Sequence, residues 1–311
     1  MKKFQILTIS EGAAGMRSQI EGLANLLGHP YRNINLKIRF FFKILPVQMI
    51  PAITFIIKNI DDYKIKNPTI LISCGKKSVK ASIALKKKNK NIFNIHVQDP
   101  KTSHEHFDLI VAPKHDELNV SNSIASNFAI HNINYKQNIN LKNNKTINFI
   151  IGGSNKYFKF GKNVQENILE NIKLLSKKYF VQIIPSRRTP LKLIQKIKNN
   201  KIKNTNLHLN TYNSIEYGNF LCRSIANIVT WESISMISES VYSGVGTFIY
   251  TFDKKNLPKK YAYFHKELIR KKYIREFSIN FIPFKTSVNE NLSELRNKIL
   301  NKISRSPIFN T

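Results

Sequence analysis

Short runs of aliphatic and β-branched residues alternate with longer helical stretches along most of this chain of 311 residues. Apolar runs at residues 4–9, 69–73 and 92–97 predict buried strands, and helical patterns follow the first two of them. Strands that alternate with helices build a largely parallel sheet that is covered by helices on both faces. The order of elements therefore predicts an open, doubly wound α/β fold.

The alternation stops at residues 131–145, a polar stretch without usable periodicity, and restarts at residue 147. A chain of this length exceeds one comfortable hydrophobic core. We therefore predict two Rossmann-like domains, residues 1–140 and residues 141–311. Residues 289–303 are expected to form a terminal helix of the second domain.

The charge balance is strongly positive, because 50 Lys and Arg residues oppose 19 Asp and Glu residues, which gives +31. Such a balance fits acidic partners such as nucleic acid, anionic membranes or phosphorylated ligands. The excess is mostly Lys and accompanies Asn and Ile, the residues that A/T-rich codons favour. The cations are not interleaved with aromatic residues along one element, so no nucleic acid is expected as a partner.

Two features bear on the compartment. Cys74 and Cys222 have neither disulfide-framework nor zinc spacing, and the N-terminal apolar run is too short for a signal peptide. A cytoplasmic location is therefore expected. The apolar run at residues 44–57 is too short to span a bilayer and is flanked by cations. It is interpreted either as part of a buried helix over residues 47–58 or as a segment at an anionic membrane surface.

Loops that follow strands are the favoured ligand positions in open α/β sheets. Gly12 and Gly15 follow the first strand and open a helix, where backbone N–H groups favour an anion. The spacing G-x-x-G is not the dinucleotide fingerprint G-x-G-x-x-G. An anion-binding loop and a tight strand-to-helix turn both remain open at this position.

In the second half, three loops that follow strands have features that favour phosphate. Its first strand is followed by a loop that predicts a diphosphate cradle of backbone donors, with a plain turn as the alternative. Arg187 and Arg188 lie at a strand-to-helix junction and suit phosphate. Ser233 and Ser235 fall at a helix N-terminus, and Glu239, about one turn further, is placed to accept hydrogen bonds from ribose. The predicted cradle consists of Gly152, Gly153, Ser154 and Asn155.

In the first half, two strands end in His and carboxylate side chains. Either His, paired with the neighbouring Asp, is a candidate general base, with capped turns as the alternative reading. The spacing of His104 and His106 near Asp108 suits no standard metal set, so no metal is expected. The candidate catalytic residues are His96, Asp99, His115 and Asp116.

The order of these motifs resembles the elongated-mitochondria family of plant mitochondrial-fission factors and its bacterial relatives. The resemblance implies a GT-B glycosyltransferase-like fold, in which two Rossmann-like domains face a cleft. It also implies that residues 152–155 form the diphosphate loop and that Ser233, Ser235 and Glu239 belong to the donor helix, with Glu239 on the ribose. The first loop of the family has Asp where this chain has Glu11. The matching stretches are SEGAAGMRSQIEGLANLLG (10–28), ISCGKKSV (72–79), HVQDP (96–100), FDLIVAPKHDE (107–117), IIGGSN (150–155), IPSRRTP (184–190), SISMISE (233–239) and YFHKELIRKKYIREF (263–277).

The resemblance leads to a functional expectation with one alternative. We expect a metal-independent, inverting glycosyltransferase that needs no cofactor beyond its nucleotide-sugar donor and acts on a lipid-linked or envelope acceptor. Its N-terminal domain would take the acceptor and face the membrane, and its C-terminal domain would take the nucleotide-sugar. The expected location is cytoplasmic, at the inner face of the membrane. The alternative is a non-catalytic adaptor of the same fold that recruits a dynamin-like membrane-remodelling partner.

Overall fold

The computed structural model describes residues 4–65, 68–135, 145–209, 213–252, 257–288 and 292–309. The chain divides into two compact units, Met1–Asn132 with Glu290–Thr311 and Ile133–Asn289. Each unit contains a six-stranded sheet in which every pair of neighbouring strands is parallel. The predicted pair of Rossmann-like α/β domains is confirmed.

The described elements alternate between strands and helices in both units. The strands are β1 (Gln5–Ser10), β2 (Tyr31–Asn35), β3 (Thr69–Cys74), β4 (Ile92–Val97), β5 (Leu109–Pro113), β6 (Ser123–Ser126), β7 (Thr146–Ile151), β8 (Phe180–Pro185), β9 (Thr205–Leu207), β10 (Ala226–Thr230), β11 (Thr247–Tyr250) and β12 (Ile274–Glu276). The helices are α1 (Ala14–Leu27), α2 (Phe40–Ile44), α3 (Lys76–Lys88), α4 (Lys162–Leu175), α5 (Leu191–Asn199), α6 (Ser214–Cys222), α7 (Ile234–Tyr242), α8 (Lys259–Arg270) and α9 (Leu292–Ser304).

The strand order identifies the favoured ligand edge of each sheet. The orders are β2-β1-β3-β4-β5-β6 and β12-β11-β10-β7-β8-β9. The chain therefore reverses its direction of winding between β1 and β3, and again between β7 and β10. Ligands of such sheets bind beyond the carboxyl ends of the strands that flank this reversal. The loops after β1 and β3, and those after β7 and β10, are thus the favoured positions.

The terminal helix α9 belongs to the first unit, which corrects the expected domain organisation. Its apolar stripe of Leu295, Ile299 and Ile303 is buried in one core cluster with Ile6 and Leu23. The four-residue spacing of this stripe covers one face of a helix. The sequence therefore shows that α9 is amphipathic, but its packing partner is far away in the chain. The boundary expected between residues 140 and 141 lies outside the described residues.

The expected helix over residues 47–58 is wrong. The segment contains two separate one-turn 3-10 helices, Val47–Met49 and Thr54–Ile56. Pro51 lies between them, lacks an N–H group and ends regular helix. An isolated antiparallel bridge joins Ile38 to Ile57 instead. Among the helices that the structure describes, none is long and apolar enough to cross a membrane.

The beginning of the polar connection is held tightly against α1. The Oγ of Ser18 donates to the Oδ1 of Asn132 at 2.8 Å, and the side chain of Asn132 also donates to the carboxylate of Glu21. The carbonyl oxygen of His131 passes over Gly22 so closely that a Cβ there would lie 2.3 Å from it. Only a residue without a side chain fits beneath this connection.

Gly22→Ala is expected to lower the free energy of unfolding of the first unit by about 2 kcal/mol, because backbone must move to admit the methyl group. Gly15→Ala in the same helix is the matched control, since a Cβ there meets nothing within 4 Å. It should stabilise the unit by up to about 1 kcal/mol through helix propensity. Hydrogen exchange of α1 amides measures both effects. Equal effects of the two substitutions would contradict the contact with His131.

Candidate functional site

Three loops meet at the carboxyl edge of the second sheet. The N–H of Gly152, after β7, donates to the Oγ1 of Thr230 at the end of β10, at 2.8 Å. The carbonyl of Gly152 accepts from the Oγ1 of Thr189, in the loop after β8, at 2.6 Å. The structure therefore brings together the loops in which the sequence predicts phosphate binding.

The two glycines of the predicted cradle direct their N–H groups into the protein. The N–H of Gly153 donates to the Oε1 of Glu232 at 2.8 Å, and that of Gly152 is used by Thr230. Added Cβ atoms would lie 1.7 Å from the Oε1 of Glu232 at Gly152 and 1.9 Å from the carbonyl oxygen of Arg188 at Gly153. The glycines allow loops to approach one another here, and their N–H groups do not form the expected diphosphate cradle.

Glu232 is the main site residue that sequence reasoning missed. Its side chain is buried directly after β10, and burial raises the pKa of its carboxyl group against the opposing effects of hydrogen bonds and the charge of Arg188. Oε1 accepts from Gly153, whereas Oε2 has no hydrogen-bond partner within the described ranges. An acid between a strand and a helix ordinarily suggests a cap, so its burial against a distant loop had no sequence signal.

Ser154 and Asn155 stabilise the turn after β7. The Oγ of Ser154 accepts from the N–H of Phe160 at 3.0 Å, and the Oδ1 of Asn155 accepts from the N–H of Phe158 at 3.0 Å. The Nδ2 of Asn155 is 3.4 Å from the hydroxyl of Tyr261 on α8. These side chains fix the loop, and the amide of Asn155 is also directed toward the aromatic groups of α8.

Arg187 and Arg188 are both exposed in the loop after β8. The backbone N–H of Arg188 donates to the Oγ of Ser186 at 3.2 Å, which fixes the turn. The guanidinium of Arg188 interacts electrostatically with both Glu232 and Tyr261. These two cations are accessible at the ligand edge, as their predicted role requires.

The N-terminus of α7 begins at the other flank of the same edge. Ser233 precedes its first turn and makes no side-chain cap, and the structure gives no hydrogen bond to the hydroxyl of Ser233 or Ser235 within its described part. The backbone N–H groups of a first helical turn point outward and favour an anion. Ser233 is buried and its N–H lies 3.4 Å from the carbonyl oxygen of Thr230, whereas Ser235 is half-buried. Binding of an anion at this helix start stays a prediction.

Glu239 lies further along α7 and is half-buried. Burial raises the pKa of its carboxyl group to about 8, and a hydrogen bond with the side chain of Tyr217 opposes this increase. The backbone carbonyl of Glu239 accepts from the hydroxyl of Tyr135 at 2.6 Å. The carboxyl group is therefore held among aromatic side chains, and the predicted contact with a ribose stays a prediction.

Aromatic side chains form the remaining part of this edge, and sequence reasoning did not identify them. The ring of Trp231 packs against Phe158 at 4.7 Å between centroids, and Tyr261 packs against Phe158 at 5.3 Å. His265 on α8 contacts the Trp231 ring, and burial lowers the pKa of its imidazole to about 4. The histidine is therefore neutral at pH 7. Trp231 is the single tryptophan of the chain and reports directly on this site.

In the first unit, Gly12 and Gly15 lie at the ligand edge beside β1. Gly12 has a φ of +84°, and a Cβ there would touch the side chain of Asn35. Gly15 lies in the open first turn of α1, which has no side-chain cap. The exposed Glu11 precedes Gly12, and its Oε1 accepts a hydrogen bond from the N–H of Lys77 on α3 at 2.8 Å. The loop turns tightly, and the N-terminus of α1 that follows it is accessible.

His96 does not fit the role of general base. Its side chain is buried, and its Nδ1 is 2.8 Å from the Oγ of Ser73. Burial lowers the pKa of its imidazole to about 3. The ring is neutral and buried beside Ser73 and Phe107, so an acceptor hydroxyl cannot reach it.

The other three candidate bases lie in the loops after β4 and β5. Asp99 accepts from the side chains of Lys101 at 2.5 Å and His104 at 2.8 Å, and these hydrogen bonds lower the pKa of its carboxyl group despite burial. A paired carboxylate of lowered pKa is a weak base. His115 is buried and Asp116 is half-buried. Their catalytic role stays a prediction. Within the described ranges, no group of three or more His, Cys, Asp or Glu side chains is placed to hold a metal ion.

Comparisons with known proteins support both the family and the fold. The family described as "Mitochondrial fission ELM1" matches residues 14–305. The uncharacterized protein RP120 of Rickettsia prowazekii (strain Madrid E) is 29% identical over 325 residues, which cover 88% of this chain and 90% of that protein.

Two solved structures resemble the whole chain. The S. aureus MnaA-UDP structure has a TM-score of 0.51 at 15% identity and covers 99% of both chains. The structure of a putative UDP-N-acetylglucosamine 2-epimerase from Listeria monocytogenes has a TM-score of 0.52 at 11% identity, covering 99% of this chain and 90% of that one. At such identities the similarity concerns the fold alone, and it agrees with the two parallel α/β sheets of this chain.

Proposed function

This chain belongs to the mitochondrial-fission ELM1 family, and on that premise we propose that it is a glycosyltransferase whose second unit binds a nucleotide-sugar. The sugar would pass to a hydroxyl of a lipid-linked or envelope acceptor at the cytoplasmic face of a membrane. One observation carries the donor assignment. At the reversal of the second sheet, α7 begins without a side-chain cap at a buried Ser233 and a half-buried Ser235, and exposed arginines lie on the neighbouring loop.

The diphosphate of the donor is assigned to α7 and the arginine loop. N–H groups of the first turn of α7 and the hydroxyls of Ser233 and Ser235 would hold phosphate oxygens, and Arg187 and Arg188 would neutralise the charge that develops on the leaving diphosphate. These groups support a metal-independent reaction. Glu239 would accept from ribose hydroxyls. We choose UDP as the first nucleotide to test, because the S. aureus MnaA structure contains UDP and the Listeria monocytogenes protein is named for a UDP-sugar.

In the proposed inverting reaction, the acceptor oxygen attacks the anomeric carbon of the sugar as the bond to the diphosphate oxygen breaks. The electron pair of that bond leaves with the nucleoside diphosphate, and a base takes the acceptor proton. Glu11 suits this role better than His96 or Asp99. It is exposed at the reversal of the first sheet, and its Oε1 is oriented by the N–H of Lys77. The structure shows no partner of its Oε2 within the described part.

Calorimetric titration with UDP in the presence of a metal chelator tests the donor site. The wild-type protein should bind, and Ser235→Ala should weaken binding at least about tenfold, the usual cost of losing a hydrogen bond to a charged group. Glu239→Gln should weaken binding less, because burial raises the pKa of the Glu239 carboxyl group to about 8 and the group it replaces is neutral at pH 7. Glu170→Gln is the control, because Glu170 pairs with Lys173 on the exposed face of α4. Folded protein that binds none of UDP, GDP, CDP, ADP and TDP would refute the proposal.

A second candidate function is the non-catalytic adaptor. This candidate is favoured because the N–H groups of Gly152 and Gly153 already have partners inside the unit. The N–H of Gly153 donates to the carboxylate of Glu232, which lies where a diphosphate oxygen would bind. A buried carboxylate there opposes an approaching diphosphate. Binding of a purified dynamin-like protein by chain that is free of nucleotide, combined with the absence of nucleotide binding, would select this candidate.

A further inference from the structure

The chain between β2 and β3 forms a closed excursion from the first sheet. The N–H of Arg39 donates to the carbonyl of Ile56 at 2.9 Å, and the N–H of Lys58 donates to the carbonyl of Lys37 at 2.7 Å. These bonds flank the bridge between Ile38 and Ile57 and close the stem of what we call the 37–58 loop. Because its ends are fixed, the loop keeps a defined surface despite having little regular structure.

The side chains of the 37–58 loop are divided between an inner and an outer face. Ile50, Ile56 and Ile57 are buried in a core cluster of the first unit, with Phe42 and Leu45 packed against it. Six large apolar side chains face outward and are between 50% and 78% exposed. They are Phe40, Phe41, Ile44, Met49, Ile53 and Phe55.

These six exposed apolar side chains lie within sixteen residues, and the rings of Phe41 and Phe55 both pack against Phe42; together they are called the patch. Single exposed hydrophobic residues are ordinary, whereas contiguous apolar patches mark contact with a partner or a membrane. The inner anchors of the loop already satisfy the core, so the outer six are not needed for folding. The patch therefore has the composition of a contact surface.

Exposed cations accompany this patch. Lys37, Arg39, Lys43 and Lys58 are exposed, and residues 37–58 contain no Asp or Glu. The guanidinium of Arg39 lies 4.6 Å from the centroid of the Phe55 ring, and its Nε donates to the carbonyl of Phe55 at 2.8 Å. Positive charge is thus fixed directly beside an exposed aromatic ring.

We propose that the outer face of the 37–58 loop docks on a lipid bilayer that contains anionic lipids. Aromatic and aliphatic side chains would enter the boundary between headgroups and acyl chains, while the four cations would pair with lipid phosphates. A second copy of the chain fits less well, because a face-to-face pair would bring two sets of these cations together. A neutral apolar partner would leave the cations without counter-charges.

This inference rests on the proposed function in one respect, since a lipid-linked acceptor places the enzyme at a membrane. Docking itself needs neither nucleotide nor acceptor. It is therefore measured on the full chain without either ligand, and UDP titration is measured separately without lipid. Loss of one property with retention of the other then identifies which proposal fails.

Co-sedimentation with vesicles tests the docking surface. The wild-type chain should bind vesicles of phosphatidylcholine mixed with phosphatidylglycerol at least tenfold more tightly than vesicles of phosphatidylcholine alone. Phe40→Ser combined with Phe41→Ser should weaken binding to the anionic vesicles at least tenfold. Both side chains are exposed, so the fold should persist, and circular dichroism verifies this. Ile282→Ser combined with Leu191→Ser is the control, because these residues are 75% exposed on the second unit.

The large net charge of the chain makes the apolar substitutions decisive. The Phe40 and Phe41 changes leave the charge at +31, so unchanged binding would show that the whole chain adheres by electrostatics alone and would overturn the proposal. Light scattering of the chain without lipid adds a second test. A dimer that dissociates when these phenylalanines are replaced would also overturn it, because the patch would then be covered by a second copy.

Discussion

Gly153→Ala is expected to lower the free energy of unfolding of the second unit by about 3 kcal/mol. The added Cβ would lie 1.9 Å from the carbonyl oxygen and 2.2 Å from the carbonyl carbon of Arg188. Backbone atoms cannot rotate away as a flexible side chain can, so the loops after β7 and β8 would have to separate. Their separation would also disturb the hydrogen bond between Gly153 and Glu232.

Denaturant unfolding followed by fluorescence of Trp231 measures this change, because the only tryptophan lies in the second unit. Gly161→Ala is the matched control, since a Cβ at Gly161 meets nothing within 4 Å and the residue precedes α4. We expect it to cost less than about 1 kcal/mol, the difference between glycine and alanine at a helix start. Wild-type stability of Gly153→Ala would show that the loops are not in contact.

The glycines after β7 illustrate what the sequence reveals about this site. A G-G-S-N loop between a strand and a helix predicts a diphosphate cradle or a plain turn, and the structure contains a turn whose glycine N–H groups are used internally. The sequence does not say what approaches this loop. Thr230 and Glu232 lie almost eighty positions later, and only the sheet order places β10 beside β7. Local patterns therefore identify the loop, whereas its partners depend on long-range topology.

The parallel sheets were predictable because buried strands of α/β proteins are continuous apolar runs. Strands at the edges of the sheets were harder to predict. β6 and β12 are short and partly exposed, with few apolar side chains, and were not predicted. The error at residues 47–58 has a different cause. The apolar residues of this segment suggest a buried helix, but Pro51 prevents a regular one.

Candidate bases show a related limit. The sequence places His96 and Asp99 at the end of a strand, which is the correct edge, but burial is a property of packing. His96 points into the core beside Ser73, and Asp99 is paired with its own loop. Glu11 is recognised as a candidate base only when the strand order is known, because that order places it at the reversal of the first sheet.

The stability of the second unit is expected to fall as the pH rises from about 4.5 to about 8, because of Glu239. Burial raises the pKa of this carboxyl group from 4.5 to about 8 in the folded chain. Below pH 4.5 both folded and unfolded forms hold the proton. Above it the unfolded chain releases the proton first, so unfolding becomes more favourable by up to about 1.4 kcal/mol for each pH unit. This contribution to stability is lost once the pH exceeds about 8.

Glu239→Gln removes the titrating group while it keeps a similar shape, so its stability should depend less steeply on pH across this window. Unfolding followed by Trp231 fluorescence at several pH values between 5 and 8 measures the slope. Glu170→Gln should retain the wild-type slope, because its exposed pair with Lys173 contributes little. Parallel slopes of Glu239→Gln and the wild type would show that Glu239 is ionised and solvated in the folded chain. If the slope of Glu239→Gln is flatter than that of the wild type, the wild-type carboxyl group is protonated beside Tyr217 at neutral pH. It can then donate a hydrogen bond as well as accept one. Nucleotide affinity should then change as the pH passes through about 8, which links the stability measurement to the proposed ribose contact.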